Sequence, residues 1–439
     1  MLLKQILKYF CYICGIVLGS LIILVIYLVW FQPPFYFPTP TGDCAVATRE
    51  YHWINEKRKE IFADDPEHQS RELMVKFWYP LAEQKPIISS DPYRQAETRF
   101  YRRHRPLLWL GSLSRPMYAY AQQNADGSIV DTQLPVIIFS PGQGGTYDSN
   151  TAHCQELASH GYLVISISHP YDSYVVQFLD GRVINGLAWV AQREKSSFFD
   201  RRKQNDEDIE VRIADVLFVL NKLEEINDDE SSPFYQHIDL QNIGVMGQSY
   251  GGSTAVQACR RDDRIKAGID MDGSLFGVDS IRPIKKPFMF LLAGDSVDMF
   301  DQMPMDPDDW KRFHISSLAE EQMVRQRYVL GIEQLARLGI HDFYIFVLQD
   351  AGHLDFTDIA LHKEATILGR FFAYCNMLGD FGVGTIPGDR AVEITNRYIL
   401  HFFDKYLKQK PSELLNDNGH FDEIKVVWRS LYIPKPIDD

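Results

Sequence analysis

Seven short apolar runs separated by longer amphipathic segments constrain this 439-residue chain more than any other feature. They are ELMVKFWYP (72–80), PVIIFSPG (135–142), LVISISHP (163–170), NIGVMG (242–247), IKAGIDM (265–271), FMFLLAG (288–294) and DFYIFVLQD (342–350). Their length and their Val, Ile and Phe content predict strands buried on both faces. Helix-period segments fall between them at 148–160, 208–226 and 250–260, and a last one spans 389–409. This alternation predicts an α/β fold, a mainly parallel sheet covered by helices on both faces, whose ligands gather at the carboxyl ends of the strands. With 45% hydrophobic residues overall, the chain has the material for one large domain over 46–439. A formal net charge of -14 would repel phosphate backbones, which excludes nucleic acid as a partner.

Before that domain, residues 9–31 form an apolar run of 23 residues, long enough as a helix to span a bilayer's hydrocarbon core of about 30 Å. A cleaved signal peptide fits less well, because its apolar region runs only about 7 to 15 residues and the nearest A-x-A pattern, Ala45 to Ala47, lies far downstream. Lys4 and Lys8 precede the run and no basic residue follows it until Arg49, which predicts a cytoplasmic N-terminus (1–8) and an extracytoplasmic domain. The proline- and aromatic-rich 32–45 reads as an extended linker. Cys44, Cys154, Cys259 and Cys375 then lie where disulfides are possible, although free buried thiols are an equal reading. No metal site or cofactor is expected, since the cysteines lack C-x-x-C spacing and no His and Cys cluster appears. Two segments have the length to overhang a site: 98–124, basic and aromatic, and 299–339, a Met- and Asp-rich stretch with a helix pattern that reads as a possible lid.

Gly247-Gln248-Ser249-Tyr250-Gly251 matches G-x-S-x-G, a weak signal in isolation. Here a buried strand runs into it and a helix pattern leaves it, the setting that holds a serine on a tight turn with its hydroxyl above the sheet. Glycine at 247 and 251 lets strand and helix pack close to that turn. A serine nucleophile needs a base and a group to orient the base, and in this architecture the acid and then the histidine follow the serine. Among the histidines beyond Ser249, only His353 sits just after the last buried strand. For the acid, Asp272 follows one strand and Asp295 and Asp298 follow the next, while Asp270 alternates onto a sheet face. An oxyanion would take one donor from the backbone N–H of Tyr250 and another from the loop SPGQGGTYDS, where Gln143 is placed for it.

GQSYGG, GIDMDG, FSPGQGG and LASHGYLVISISHPYDS together resemble the platelet-activating-factor acetylhydrolases, the lipoprotein-associated type of phospholipase A2, and their bacterial relatives, across roughly residues 70–375. The resemblance implies an α/β-hydrolase fold with Ser249 as nucleophile, Asp272 as acid, His353 as base, and the amides of Gln143 and Tyr250 as the oxyanion hole. It favours Asp272 over the alternative acid Asp295. It implies calcium-independent hydrolysis of short or oxidised sn-2 acyl chains of phospholipids. The chain departs from the family's usual residues at Pro141, Gln143, Gln248 and Tyr250. A membrane-anchored serine esterase acting on lipid or small esters is therefore expected; a broader lipase, a dienelactone-hydrolase-like or polyester hydrolase, and a non-catalytic binding module of the same fold are the alternatives.

Overall fold

Successive side chains of a strand point to opposite faces, so an apolar run buried throughout must meet a core on each side. In the strand Leu134–Ser140, Val136 and Ile138 join one core while Ile137 and Phe139 join the other. The computed structural model describes residues 2–430 apart from 31–33, 63–68, most of 83–115, 124–128, 187–197, 278–281, most of 302–314, 339–341, 366–381 and 417–419.

Among the described residues the main sheet has ten strands. Nine are numbered here: β1 (Ala45–Lys59), β2 (Ser70–Leu81), β3 (Leu134–Ser140), β4 (Leu163–Ser168), β5 (Ile238–Gln248), β6 (Ile265–Met271), β7 (Phe288–Ala293), β8 (Phe343–Leu348) and β9 (Ile424–Ser430). They lie in the order β9-β8-β7-β6-β5-β3-β4-β2-β1, with the two-residue Gln122–Gln123 outside β1. Strands β3 to β8 are mutually parallel. Strand β2 runs antiparallel to both its neighbours, and β9 runs antiparallel to β8. All seven expected strands are present. β1 and β9 are additional, and both lie near sheet edges, where exposed polar positions break up the apolar run that marks a buried strand.

Helices α2 (Thr151–Ser159), α8 (Ile359–Ala365) and α9 (Gly388–Leu407) cover one face, contributing Leu157, Leu361 and Phe402 to its core. On the other face α3 (Phe198–Asp228), α4 (Tyr250–Arg261), α6 (Leu318–Arg327) and α7 (Val329–Leu338) contribute Val216, Val256, Val324 and Ile332. The helical half of the 299–339 insertion is thus built into the domain core. It follows α5 (Gly294–Asp301) and divides at Tyr328, whose backbone leaves the helical region. Most of 302–314, where a lid would otherwise lie, falls outside the described residues, as does most of 98–115.

The N-terminal apolar segment forms α1 (Leu2–Trp30), and Ile13, Ile16, Leu21 and Ile23 on it are exposed. Among the described residues, however, no helix is long and apolar enough to cross a membrane, so a span does not follow from the fold. The linker is fastened to the domain: Phe35–Tyr36 pairs with Met117–Tyr118, Phe37 is buried, and the Thr41 N–H donates to Glu156 (2.9 Å). Cys44, Cys154 and Cys259 are free thiols, whereas Cys375 lies outside the described residues.

Candidate active site

Between β5 and α4 the chain reverses at Ser249, the residue between strand and helix, with φ 56° and ψ -123°. A non-glycine residue there carries strain of about 1–3 kcal/mol, tolerated only where the surroundings hold it. Its N–H donates to Met271 C=O at the end of β6 (2.8 Å), and its C=O accepts from the Gly252 N–H (2.9 Å). The glycines are required by close approach: a Cβ at Gly247 would run into the backbone of Gly251, and one at Gly251 into the Ser140 carbonyl. The turn therefore pins the serine at the carboxyl edge of the sheet, beside the point where strand order reverses between β3 and β5.

His353 opens a short 3-10 turn after β8 and meets Ser249 there, its Nε2 2.9 Å from Ser249 Oγ. Its Nδ1 lies 2.6 Å from Asp272 Oδ2. Because a carboxylate only accepts, Nδ1 carries the proton and Nε2 is left to accept from the serine hydroxyl. The loop is held by Asp355, whose buried carboxylate accepts from the N–H groups of Gly352 (2.9 Å) and Gly384 (2.6 Å) and from Lys363 Nζ (2.9 Å). The Gln248 side chain donates to the His353 carbonyl (3.1 Å) from the elbow itself.

Asp272 follows β6 in a left-handed conformation, φ 55°, which turns its side chain toward His353. It is buried and accepts from His353, the Ala293 N–H (2.8 Å), the Ser296 hydroxyl (2.9 Å) and the Tyr328 hydroxyl. Burial alone would raise its pKa; these donors, His353 foremost, outweigh it and hold the carboxyl below its ordinary value. The alternative acid Asp295 lies at the start of α5, its N–H donating to Ala351 C=O, and it is not the partner of His353 Nδ1. Burial, together with Asp355 and other nearby carboxylates, pushes its pKa up. Asp298 is exposed on the same helix. Asp270 is buried beneath the elbow, accepting from the Gly273 N–H (2.7 Å), and burial raises its pKa well above the ordinary value.

The loop after β3 lies against the elbow. A Cβ on Gly142 would strike Gln248 Oε1 and stand 3.2 Å from Ser249 Cβ, so glycine lets the loop sit this close without displacing the Gln248 amide. The next residue, Gln143, is exposed, and its N–H meets no protein acceptor among the described residues. Tyr250, first residue of α4, is buried against Ile209, Ile213 and Phe276, with its hydroxyl donating to Asn205 C=O (2.5 Å). Among the described residues no group of His, Cys, Asp or Glu is arranged to hold a metal.

Several residues at the site were not singled out from the sequence, among them Ser296 and Asp355, and two bear directly on its chemistry. Tyr328 comes from the insertion, and nothing in its surroundings there marks it. Arg212 does carry a signal: it falls on the apolar stripe of α3 with Ile209, Ile213 and Val216, where a charge has no place unless it is paired. The same holds for Asp215, buried with its pKa pulled far down, where Arg71 and His169 overcome the effect of burial.

A strained serine on a strand-to-helix turn, reached by a histidine and a buried acid from later loops, defines a serine hydrolase of the α/β-hydrolase class. Comparison with known proteins narrows this. Residues 66–422 match the family described as platelet-activating factor acetylhydrolase, isoform II, and the chain belongs to that family. It is 29% identical over 400 residues to a probable 1-alkyl-2-acetylglycerophosphocholine esterase of Arthroderma benhamiae, covering 87% of this chain and 90% of that protein. It is 22% identical to the platelet-activating factor acetylhydrolase of Gallus gallus, with 75% of each chain covered. Among solved structures, a ferulic acid esterase from Streptomyces cinnamoneus superposes with a TM-score of 0.67 at 23% identity, covering 90% of this chain and 99% of that one, a likeness of fold. The chain is an ester hydrolase.

Proposed function

We propose that this chain hydrolyses short or oxidised sn-2 acyl esters of phospholipids through an acyl-enzyme on Ser249. The observation that carries the reading is the continuous hydrogen-bonded line Asp272–His353–Ser249, ending on a hydroxyl presented by a strained turn. Ser249 Oγ attacks the ester carbonyl as His353 Nε2 takes its proton, and Asp272 stabilises the imidazolium. The oxyanion accepts from the N–H groups of Gln143 and Tyr250, the latter at the positive end of α4. His353 returns the proton to the departing sn-2 oxygen, then draws one from a water that releases the acid and restores the serine. The substrate class is supported by family membership and by the activities for which its relatives are named.

Helix α1 is proposed as the anchor that keeps the domain at a lipid surface, with the N-terminus cytoplasmic and the domain extracytoplasmic. Its 29 residues span roughly 43 Å, its described apolar side chains are exposed, and Lys4 and Lys8 lie at its start. Protease protection of the C-terminal domain in sealed membranes is the expected result; digestion from the cytoplasmic side would reverse the topology.

The chemical test uses the full chain in detergent. A fluorophosphonate should label it and leave Ser249→Ala unlabelled, and 2-acetyl phosphatidylcholine should turn over faster than the 2-palmitoyl lipid. Equal labelling of the two proteins would remove Ser249 as nucleophile, and equal turnover of the two lipids would remove the short-chain assignment.

A further inference from the structure

Beneath the oxyanion loop lies a cation with no place in the triad chemistry. The Arg212 guanidinium is almost fully buried; Nη1 donates to Pro141 C=O (2.6 Å), Nη2 to Gly142 C=O (3.2 Å) and Nε to the Asp172 carboxylate. Its Cζ stands 4.9 Å from the centre of the Tyr250 ring. One side chain thus touches the residue that leads into the Gln143 donor and the side chain of the other donor residue, Tyr250.

The geometry of a trans peptide makes that contact directional. Gly142 C=O and Gln143 N–H lie in one peptide plane and point in opposite directions within it, so a guanidinium holding the carbonyl turns the N–H the other way. The Gln143 N–H, without a protein acceptor among the described residues, is the group so turned, and Gly142 already stands against Ser249. Asp172 steadies the far end of the loop, because its own C=O accepts from the Gly144 N–H (3.0 Å). Against the Tyr250 ring the guanidinium face fixes the first residue of α4.

We propose that Arg212, held by Asp172, is a positioning residue that sets both amides of the oxyanion hole. The inference rests on Ser249 being the nucleophile. Lysine at 212 keeps the buried charge beside Asp172 but not the planar fork that reaches two carbonyls.

The test uses the full chain in detergent, with p-nitrophenyl acetate and its thionoester counterpart. A sulfur anion is a poorer hydrogen-bond acceptor, so wild type should favour the oxygen ester, and a mis-set hole should narrow that preference. Arg212→Lys is expected to lose about 10- to 100-fold in kcat, with KM within about 3-fold. The pH midpoint of kcat/KM should stay in place, and the ester-to-thionoester ratio should fall. Asp172→Asn, which leaves both arginine-to-carbonyl bonds, should show the same pattern at about 3- to 10-fold and keeps the test open if Arg212→Lys fails to fold. The control is Arg264→Lys, which removes a guanidinium bonded to Asp262, Asn221 and Glu224 at the opposite end of β6 from Asp272; it should lower Tm slightly and leave kcat within about 2-fold. An unchanged ester-to-thionoester ratio in folded Arg212→Lys, or in Asp172→Asn, overturns the proposal, as does an equal kcat loss in Arg264→Lys. Turnover surviving in Ser249→Ala would instead overturn the nucleophile assignment.

Discussion

Replacing Asp272 by asparagine tests the site most sharply, because every group facing this carboxylate is a donor. His353 Nδ1, the Ala293 N–H, the Ser296 hydroxyl and the Tyr328 hydroxyl all point at it. Asparagine keeps one acceptor oxygen and turns the other into an NH2. The Ala293 N–H is part of β7 and cannot reorient, so the amide oxygen stays on the Oδ1 side and the NH2 faces Nδ1. The imidazole must then accept at Nδ1 and carry its proton on Nε2, where it blocks acceptance from Ser249. Only the minor tautomer reacts, and kcat should fall roughly 10³- to 10⁴-fold, about 4–5.5 kcal/mol of transition-state stabilisation. KM for p-nitrophenyl acetate should change little, with enzyme counted by fluorophosphonate titration so that misfolded protein is excluded. Asp295→Asn relieves a carboxyl crowded by Asp355, Asp298 and Asp350 and should keep kcat within about 3-fold. More than a tenth of wild-type kcat in folded Asp272→Asn, or an equal loss in Asp295→Asn, would refute the reasoning.

Tyr328→Phe removes one of the four donors to Asp272 and should lower kcat about 3- to 10-fold at constant KM, read by steady-state kinetics; an unchanged kcat would make the insertion's contact with the acid incidental. Gly142→Ala drives a methyl into Gln248 Oε1, so the Gln248 amide that donates to the His353 carbonyl must shift; kcat should fall about 3- to 10-fold while far-UV circular dichroism stays native, and an unchanged kcat would make that amide's contact with the histidine loop incidental. His169 is buried between Ser140 and Asp215, and its pKa is lowered to about 4, by burial first and Arg212 second. Above the ordinary histidine value near 6.5 both states are neutral, and as pH falls from there toward 4 the unfolded chain takes up a proton that the folded chain refuses. Stability should therefore drop by up to roughly 3 kcal/mol across that window, seen as a falling Tm, and His169→Gln should flatten the slope. A Tm independent of pH over that range in the wild type would show that His169 takes up its proton without cost.

What was legible in the sequence was local. Continuous apolar runs mark β3 to β8 because strands buried on both faces leave no room for polar residues. The elbow at Ser249 is legible because Gly247 and Gly251 must lack side chains where strand and helix touch. His353 stood out as a candidate because it follows the last of those runs. Strands β1 and β9, at or next to the sheet edges, were missed for the converse reason, since their solvent-facing positions interrupt the apolar signal.

Tertiary structure alone decided which groups touch. On spacing, Asp272 and Asp295 were equally placed; the left-handed turn at Asp272 and the donors around it settle which carboxylate faces His353. Tyr328 reaches Asp272 from 56 positions away, and Arg212 reaches Gly142 across 70. Such contacts depend on how helices seat on the sheet, and seating is governed by the whole core rather than by the pattern of any segment. A chain's periodicity records which face of each element is dry; it carries no record of which polar group on another element will meet it there.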